Sequence, residues 1–448
     1  MNRSIYYNTD DTIAAEATPP GKGGMAVIRL SGNDAVNIIK KLFDRQIPPP
    51  SEHRYGELIN QSSNKEELID EVVISRYKAP YSYTGEDVIE ISTHGSPIIV
   101  SNALDAIYQQ GARPAKPGEF TLRAYLNGRI DLTQAEAVAD LVASTSREAA
   151  DQALKQLSGG IGQTTERISK NILNLLTQCE LELDFVEDDI ILLSKDKKII
   201  TLDDVLSDIK SMLNGYQRSR RLREGVSAVI IGHPNVGKSS LFNLLIGSAK
   251  AIVHKEPGTT RDVLQGDCII DGVRFEVFDT AGIRTTDDEV EDEGVKRAVE
   301  AADNAELAIY VDSVELYCHS KPDLRIKGEV INVMNKIDLG YDELPDGYIP
   351  ASIKEGIGIK EIQSEMYRMT VEQNHTSEST ISRERHFKTV TNAESALMRV
   401  KEGVINDYSE EIVAEGLREA MSAIDELTGK RCLESLLDNI FSEFCIGK

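Results

Sequence analysis

The spacing of apolar residues divides the chain into regions with different predicted structure. Over residues 1–125, short alternating runs such as MAVIRLSG, VVISRY and DVIEIST predict β-strands between turn signals. One stretch with helical spacing, from Pro97 to Gln110, lies among them. The pattern predicts a compact α+β domain over residues 1–125.

Beyond residue 125 the apolar residues recur at three- and four-residue spacing, which is typical of amphipathic helices. Thr133 and Glu136 are predicted to form a capping box where this helical region begins. Residues 194–225 predict one further helix that ends in a group of arginines. The pattern predicts an all-α helical domain whose first part covers residues 126–223 and whose second part covers residues 375–448.

Residues 224–374, between the two helical parts, alternate strand and helix patterns. A β-branched run starting at Val226 leads into a loop that fits GxxxxGK[ST], the pattern of a phosphate-binding loop. Its glycines let consecutive backbone N–H groups converge on phosphate oxygens, and the next helix directs its positive end toward the same anion. We expect a doubly wound P-loop domain inserted into one helical domain, whose two parts pack together. The residues that match are Gly232, Gly237, Lys238 and Ser239.

Motifs downstream of the loop add the groups that phosphoryl transfer requires. Lys238 is expected to reach the β- and γ-phosphates, and Ser239 to bind Mg²⁺. Thr260, in PGTTRD, would complete the Mg²⁺ shell and sense the γ-phosphate. Asp279, at the end of a predicted strand, can hold Mg²⁺ through water, and the Gly282 N–H can meet the γ-phosphate.

The tetrad Asn335-Lys336-Ile337-Asp338 predicts that the base is guanine. A carboxylate on Asp338 can accept hydrogen bonds from the N1–H and the 2-amino group of guanine, which adenine cannot supply. The segment Ser352-Ile353-Lys354 stands where a loop usually written SAK supports the base, although Ile353 replaces the usual small residue. The motifs together predict GTP binding.

Composition narrows the functional classes. The 448 residues are 40% hydrophobic and 28% charged, as in an ordinary globular protein. The net charge of −24 argues against broad non-specific binding of nucleic acid. The five cysteines are scattered and form no CxxC pair, and the N-terminus has no apolar signal region. We expect a protein of the reducing cytoplasm, with no contact to a membrane.

Three features leave alternatives open. Arg29 and Glu90 lie within apolar strands, where they mark either a polar pocket or the solvent faces of the strands. The loop TPPGKGG, residues 18–24, is either a turn or a phosphate-binding nest. The arginine group either contacts RNA or forms a solvated helix end. Its members are Arg218, Arg220, Arg221 and Arg223.

The motifs GHPNVGKSS, PGTTRD, DTAG and NKID resemble the TrmE-Era-EngA branch of translation-factor-like GTPases. Further segments resemble, within that branch, the MnmE (TrmE) family of tRNA-modification GTPases. These segments are TPPGKGGMAVIRLSG, YTGEDVIEISTHG, RPAKPGEFTLRAYLNGRIDLTQAEAVADLV and the terminal FCIGK. The resemblance implies a multidomain α/β protein with an N-terminal tetrahydrofolate-binding domain that dimerises, a helical domain and an inserted GTPase domain.

The resemblance also implies how GTP is held and hydrolysed. Ile283 and Arg284 stand where Ras-like enzymes carry a water-orienting glutamine, so Glu291 is expected to act on the attacking water through a bridging water. The amide oxygen of Asn235 is a suitable cation ligand, and K⁺ is implied there as two nucleotide domains meet. The implied nucleotide and metal contacts are Asn235, Val236, Gly237, Lys238, Ser239, Ser240, His254, Lys255, Glu256, Pro257, Gly258, Thr259, Thr260, Asp279, Thr280, Ala281, Gly282, Asn335, Lys336, Asp338, Ser352, Ile353 and Lys354. Among them the implied ligands of the metal ions are Ser239, Thr260, Asn235, His254, Glu256 and Thr259.

A second implied site binds a formyl- or methylene-tetrahydrofolate. Its residues by resemblance are Arg29, Glu90, Arg129 and the C-terminal Lys448. Cys445 is either a nucleophile that adds to uracil or a residue that packs.

The implied function is a K⁺-activated GTP hydrolase. With a MnmG-type flavoprotein that carries FAD, it would modify C5 of the wobble uridine of certain tRNAs to carboxymethylaminomethyl or aminomethyl uridine. A homodimer and a heterotetramer-like complex are expected. A regulatory GTPase of ribosome assembly and a dimerising scaffold with a static nucleotide are the alternatives.

Overall fold

A computed structural model describes most of the chain, and it divides into two compact units. Unit 1 contains the residues up to Ala139, residues 157–165 and the residues from Met421 onward. Unit 2 contains residues 140–156 and 166–420. The described residues are 10–62, 65–184, 193–248, 264–279, 305–316, 328–341, 343–371, 381–432, 434–442 and 444–447.

Unit 1 is built on a six-stranded sheet with the order β3-β4-β5-β2-β1-β6. Its neighbouring strands are antiparallel, except that β6 runs parallel to β1. The runs MAVIRLSG, VVISRY and DVIEIST lie in β2, β4 and β5, so these predicted strands are confirmed. The strands are β1 (Ile13–Glu16), β2 (Ala26–Ser31), β3 (His53–Ser62), β4 (Lys65–Tyr77), β5 (Val88–Thr93) and β6 (Arg113–Pro114).

Both faces of this sheet carry apolar clusters because successive side chains point to opposite sides. Helices α1 (Ala35–Lys40) and α2 (Pro97–Gln109) pack on one face, over alternate buried strand residues such as Ile28. On the other face Ile13 clusters with Phe120 of α3 (Glu119–Leu126). The helix predicted over Pro97 to Gln110 is therefore confirmed.

Helix α4 (Leu132–Ala143) begins with a cap that differs from the predicted one. The backbone N–H of Gln134 donates to Asp131 Oδ1 at 2.8 Å, and Gln134 Oε1 accepts from the Asp131 N–H at 3.0 Å. This reciprocal pair is a capping box. The predicted Thr133–Glu136 box was wrong because the helix begins at Leu132, which places Thr133 inside its first turn.

The helical region continues with α5 (Arg147–Leu157) and α6 (Gly160–Asp184). The single helix predicted over residues 194–225 was wrong, since two helices, α7 (Lys195–Leu213) and α8 (Tyr216–Glu224), occupy it. Asn214 between them is extended, and Gly215 has a φ of 81°, a backbone conformation that ends a helix. The Asn-Gly pair was the sequence signal for this break.

The nucleotide domain in unit 2 has a six-stranded sheet with the order β12-β11-β10-β7-β9-β8. All its neighbours are parallel except β8, an antiparallel edge strand joined to β9 by the predicted Asp271-Gly272 turn. The order and the parallel neighbours agree with the predicted doubly wound sheet. Its elements are β7 (Val226–Ile231), α9 (Lys238–Ser248), β8 (Leu264–Ile270), β9 (Val273–Asp279), β10 (Leu307–Ser313), β11 (Glu329–Asn335), β12 (Tyr348–Pro350) and α10 (Ile359–Val371).

Beyond the nucleotide domain, the described residues contain the helices α11 (Glu384–Ile405), α12 (Glu410–Thr428) and α13 (Glu434–Ser442). Helix α11 packs along α7, and Lys401 Nζ lies 2.5 Å from Asp203 Oδ1. This contact confirms that helices from before and after the nucleotide domain pack together. Among the described residues, none of the helices has the length and apolar character needed to cross a membrane.

Candidate functional site

The phosphate-binding loop runs from the end of β7 to the start of α9. Gly232 has a φ of 146° and Gly237 a φ of 106°, a region that L side chains rarely adopt. A Cβ on Gly232 would overlap the carbonyl oxygen of Val311, and one on Gly237 would overlap Nδ2 of Asn335. Both positions therefore require glycine, which brings the loop backbone close enough to line an anion site.

Lys238 is buried at the mouth of this loop. Its Nζ donates to the carbonyl oxygens of Gly232 at 2.9 Å and His233 at 2.8 Å. Burial lowers the pKa of Lys238, and the negative charge of Asp279 opposes that shift. Asp279 is itself buried at the end of β9, so the residues predicted for phosphate and for magnesium lie on one edge of the sheet.

The remaining loop residues differ in exposure. Val236 is fully buried in the core of the nucleotide domain. Asn235 is exposed and has a φ of 64°, which turns the loop ahead of Gly237. Ser239 is half-buried in the first turn of α9, where its hydroxyl can serve Mg²⁺, and Ser240 is exposed.

Asn335 joins the phosphate loop to the loop predicted for the base. Its Nδ2 donates to the carbonyl of Val236 at 2.7 Å, and its Oδ1 accepts from the backbone N–H of Ile353 at 3.0 Å. The Ile353 side chain is buried in the same core as Val236. Because the contact uses the backbone of Ile353, its departure from a small residue leaves this connection intact.

Asp338 is exposed and oriented by its neighbours. The Ser352 hydroxyl donates to Asp338 Oδ1 at 2.6 Å, and this hydrogen bond lowers the pKa of Asp338. The charges of Lys354 and Lys336 act in the same direction, and Lys336 Nζ also lies 2.5 Å from Glu315. The carboxylate is thus ionised and held as an acceptor, the form that guanine recognition requires.

Several predicted residues lie outside the described part of the chain, and their roles stay predictions. They are His254, Lys255, Glu256, Pro257, Gly258, Thr259, Thr260, Thr280, Ala281, Gly282, Glu291 and Lys448.

In unit 1 the structure joins Arg29 and Glu90 directly. They face each other across β2 and β5, and the Arg29 Nε and Nη2 atoms lie 2.9 and 2.8 Å from Glu90 Oε1. Their side chains are only 18% and 24% exposed, so neither charge simply faces solvent. Of the two alternatives, the geometry favours the polar pocket.

Two aromatic rings that the sequence reasoning missed flank this pair. The Arg29 guanidinium carbon lies 4.9 Å from the ring centre of Tyr83 and 5.7 Å from that of Phe120, within cation–π range. Burial raises the pKa of Tyr83, while its hydrogen bond to Thr121 and the charges of Arg29 and Arg129 oppose the shift. The Arg129 charge is thus near enough to Tyr83 to affect its hydroxyl, and its role as a folate ligand stays a prediction. Tyr83 and Phe120 lie in the segments YTGED and PGEFTLRA, which belong to the stretches that resemble the MnmE family. That resemblance was the sequence signal that could have identified the two rings.

The C-terminal segment reaches the same pocket. The carbonyl oxygen of Gly447, the residue before Lys448, accepts from Arg29 Nη1 at 3.5 Å. The Cys445 carbonyl accepts from the Gly118 N–H at 3.5 Å, and the Cys445 thiol is exposed. The FCIGK segment is thus bound to the N-terminal sheet beside Arg29.

The arginine group of α8 fits neither predicted alternative. Arg220 and Arg221 both pair with Glu306, which precedes β10, and Arg221 also donates to the Thr370 carbonyl. Arg223 donates to the Ser382 carbonyl at 3.3 Å. These arginines are largely occupied by protein groups within unit 2, which argues against their use for RNA.

Sequence models of two families match the chain. One described as "MnmE helical domain" matches residues 132–445, and one described as "GTP-binding protein TrmE N-terminus" matches residues 12–129. The crystal structure of an Aquifex aeolicus Era variant bound to GDP and AlF4⁻ is 24% identical, covers 39% of this chain and 67% of that chain, and has a TM-score of 0.27. A TM-score this low supports no argument about this chain.

Curated relatives match over almost the whole chain. The tRNA modification GTPase MnmE of Natranaerobius thermophilus is 37% identical over 459 residues, which cover 98% of this chain and 100% of the relative. The protein of the same name from Aquifex aeolicus is 39% identical over 451 residues, with coverages of 98% and 100%. The predicted resemblance is confirmed, and the chain belongs to the MnmE family of tRNA modification GTPases.

Proposed function

We propose that the chain is a K⁺-activated GTP hydrolase that modifies C5 of the wobble uridine of certain tRNAs, using a one-carbon unit from tetrahydrofolate. The proposal is supported by one observation: a single chain of this family contains two candidate sites. One is the phosphate loop with its ionised Asp338, and the other is the Arg29–Glu90 pocket bound by the C-terminal segment.

The nucleotide site fits GTP. Lys238 Nζ donates to two carbonyls of the phosphate loop, and from this loop it would contact the β- and γ-phosphates. Ser239 would bind Mg²⁺, with Thr260 and Asp279 completing the shell. Asp338 would accept the guanine donors while Ser352 holds it in place.

Hydrolysis requires a substitute for the absent water-orienting glutamine and a positive charge near the phosphates. Glu291 would act on the water through a second water. Asn235 is exposed and has a left-handed backbone, and its amide would hold K⁺ together with carbonyls of residues 254–259. A cation there stabilises the charge that develops in the transition state. The ion would bind as the nucleotide domains of a homodimer meet.

The Arg29 pocket fits a reduced folate. A carboxylate such as Glu90 can accept the paired N–H donors of a pterin ring, and the Tyr83 and Phe120 rings offer flat apolar surface. Arg129 and Lys448 would add positive charge for the acidic tail. The bound folate would supply the one-carbon unit, and the chain's own residues would bind and orient it.

The remaining parts of the proposal concern partners. An FAD-carrying flavoprotein of the MnmG type would supply the redox chemistry, and residues 1–125 would form the homodimer contact. The exposed thiol of Cys445 would add to C6 of the uracil. The backbone carbonyl of Cys445 accepts from the N–H of Gly118, which precedes α3. We place the enzyme in the cytoplasm.

The test of the GTPase mechanism is steady-state GTP hydrolysis by the full-length chain in matched K⁺ and Na⁺ buffers. We expect strong stimulation by K⁺ that is lost in Asn235→Ala and in Glu291→Ala. The control is Asn406→Ala, an exposed asparagine that follows α11. Equal rates in the two salts for the unmodified chain would contradict K⁺ activation while leaving GTP hydrolysis in place.

A further inference from the structure

Arg123 is a fully charged side chain at a buried position of α3, with 1% of its side chain exposed. Its guanidinium lies 2.6 Å from Asp11, 3.2 Å from Glu86 and 3.1 Å from Glu119. Removing such a charge from water is costly, and hydrophobic replacements of buried ion pairs are often no less stable. A buried pair of this kind therefore calls for a role other than stability alone.

A second arginine closes the cluster. Arg113 lies 2.6 Å from Asp11 and 2.6 Å from Glu119, so the two arginines share both carboxylates. Burial would raise the pKa of Glu119, but hydrogen bonds from Arg113 and from the Lys116 N–H outweigh it and lower that pKa. The carboxylate is thus ionised, and the cluster is an ionic one across the neutral pH range.

The partners of Arg123 belong to the elements that surround Arg29. Glu86 follows Tyr83 in the turn before β5, and its Oε2 accepts from the Ser31 hydroxyl at 2.6 Å. Ser31 stands two residues after Arg29 in β2 and also shares a 2.7 Å hydrogen bond with Thr84.

Helix α3 supplies the other side of this arrangement. Phe120, which flanks the Arg29 guanidinium, lies on α3 with Arg123. The next residue, Thr121, shares a 2.8 Å hydrogen bond with the Tyr83 hydroxyl. The Arg123 contacts to Glu86 therefore join the two elements whose rings hold the guanidinium.

We propose that Arg123 is a positioning residue for the folate pocket: by joining α3 to the turn that carries Tyr83 and Glu86, it fixes the two rings that aim the Arg29 guanidinium at the ligand. Arg123 does not touch the ligand in this arrangement. The inference rests on the proposed folate function of the pocket. It attributes part of the affinity for folate to the buried charge of Arg123, which does not contact the ligand.

The test measures binding of 5-formyltetrahydrofolate to the full-length chain by titration calorimetry. Arg123→Met keeps an unbranched apolar stem but removes the guanidinium and its ion pairs. We expect Kd to rise about tenfold because the rings lose their fixed positions. Arg123→Lys restores the charge and should recover part of the affinity. The matched control is Arg167→Met, which removes an equally short pair with Asp208 on an exposed surface of the helical region and should leave Kd unchanged.

A double-mutant cycle separates positioning from a general structural role. If Arg123 acts through Arg29, Arg123→Met should add little to the loss already caused by Arg29→Lys, because the group it positions has changed. If the fold increases in Kd of the two single variants multiply in the double variant, the inference is overturned. Should Arg123→Met fail to fold, Ser31→Ala replaces it in the same cycle, since it removes the hydrogen bonds between β2 and the turn. We expect it to raise Kd severalfold.

The outcomes distinguish the inference from the proposed function. Absence of binding by the unmodified chain would overturn the folate assignment and this inference with it. Binding by the unmodified chain at the same affinity as Arg123→Met would overturn the inference alone. A larger Kd in Arg123→Met that Arg123→Lys partly reverses, without change in Arg167→Met, supports it.

Discussion

The nucleotide site and the Arg29 pocket are assembled in opposite ways. The predicted phosphate-binding loop consists of consecutive residues 232–239, whose backbone geometry depends on Gly232 and Gly237. The pocket gathers Arg29, Tyr83, Glu90, Phe120 and the Gly447 carbonyl from positions up to 418 residues apart. A site made of adjacent backbone groups leaves a continuous motif in the sequence, whereas a site made of distant side chains leaves single residues in separate segments.

The largest expected effect tests whether the nucleotide site depends on its backbone. Gly232→Ala would place a Cβ against the Val311 carbonyl at a φ of 146°, so the loop must distort. We expect GTP affinity to fall by about 100-fold or more, since the loop N–H groups would no longer converge on the phosphate oxygens. Measurement is by titration with a fluorescent GTP analogue. The control is Gly247→Ala in α9, where a Cβ meets nothing within 4 Å. A normal Kd in Gly232→Ala would refute the backbone account.

The next effect concerns the base. Asp338→Asn replaces an acceptor with a group that offers one acceptor and one donor, so it mismatches the two guanine donors. We expect GTP affinity to fall about 100-fold and affinity for xanthosine triphosphate to rise, because sites with buried or fixed hydrogen-bond partners reject mismatched ligands strongly. Competition binding measures both. Asp346→Asn, at another exposed aspartate, should change neither, and an unaltered preference for GTP in Asp338→Asn would rule out this role.

A smaller effect is expected in the assembled pocket, where several groups share the ligand. Glu90→Gln removes the charge that pairs with Arg29 and one acceptor for the pterin donors. We expect Kd for 5-formyltetrahydrofolate to rise about tenfold, which corresponds to the loss of one charge-assisted hydrogen bond. The exposed Glu67→Gln in β4 is the control. If affinity stays constant in Glu90→Gln, the ligand binds elsewhere.

A stability effect tests the corrected start of α4. Asp131→Ala removes the side chain that accepts from the Gln134 N–H, and we expect the free energy of unfolding to fall by about 1 kcal/mol. Denaturant unfolding measures it, with Asp105→Ala on the exposed side of α2 as the control. A larger loss from Thr133→Ala than from Asp131→Ala would restore the cap predicted from sequence.

The smallest effect is a local pH dependence in the sheet of the pocket. A 2.7 Å hydrogen bond to the buried Asp70 raises the pKa of His94 above its ordinary 6.5, and the nearby Asp70 charge acts in the same direction. The stabilisation from this pair is fully present below pH 6.5 and is lost as pH rises through the raised pKa. An NMR titration of the His94 ring should give a pKa above 6.5 that returns toward it in Asp70→Asn. A midpoint at or below 6.5 in the unmodified chain would contradict the hydrogen bond.

The features that the sequence predicted correctly depend on residues that are close together in the chain. The strand at Val226, the loop glycines and the Asp271-Gly272 turn follow from short-range backbone requirements, and the structure has all of them. The predicted Thr133–Glu136 cap was wrong, because Asp131, two residues before Thr133, is also a residue type that caps helices and forms the observed box with Gln134. The break at Gly215 was missed for a related reason, since helical spacing continues on both sides of it.

Side-chain partners from distant segments were harder to predict. Arg29 and Glu90 were recognised as unusual because charges interrupt apolar strands, but only the register of β2 against β5 shows that they pair. Tyr83 and Phe120 look like ordinary core residues until their distances to the Arg29 guanidinium are known. Arg220 and Arg221 of α8 have their partner, Glu306, more than eighty residues away, and no local pattern points to it.

The central claim is that both sites serve one reaction, and a labelling experiment tests it directly. The full-length chain, GTP, a MnmG-type flavoprotein and undermodified tRNA would be incubated with tetrahydrofolate that carries a labelled one-carbon unit, and the wobble uridine would be analysed by mass spectrometry. We expect the label in the group attached to C5, and less of it in Glu90→Gln when the folate concentration is below that variant's Kd. Modified uridine without the label, in the unmodified chain, would contradict the account.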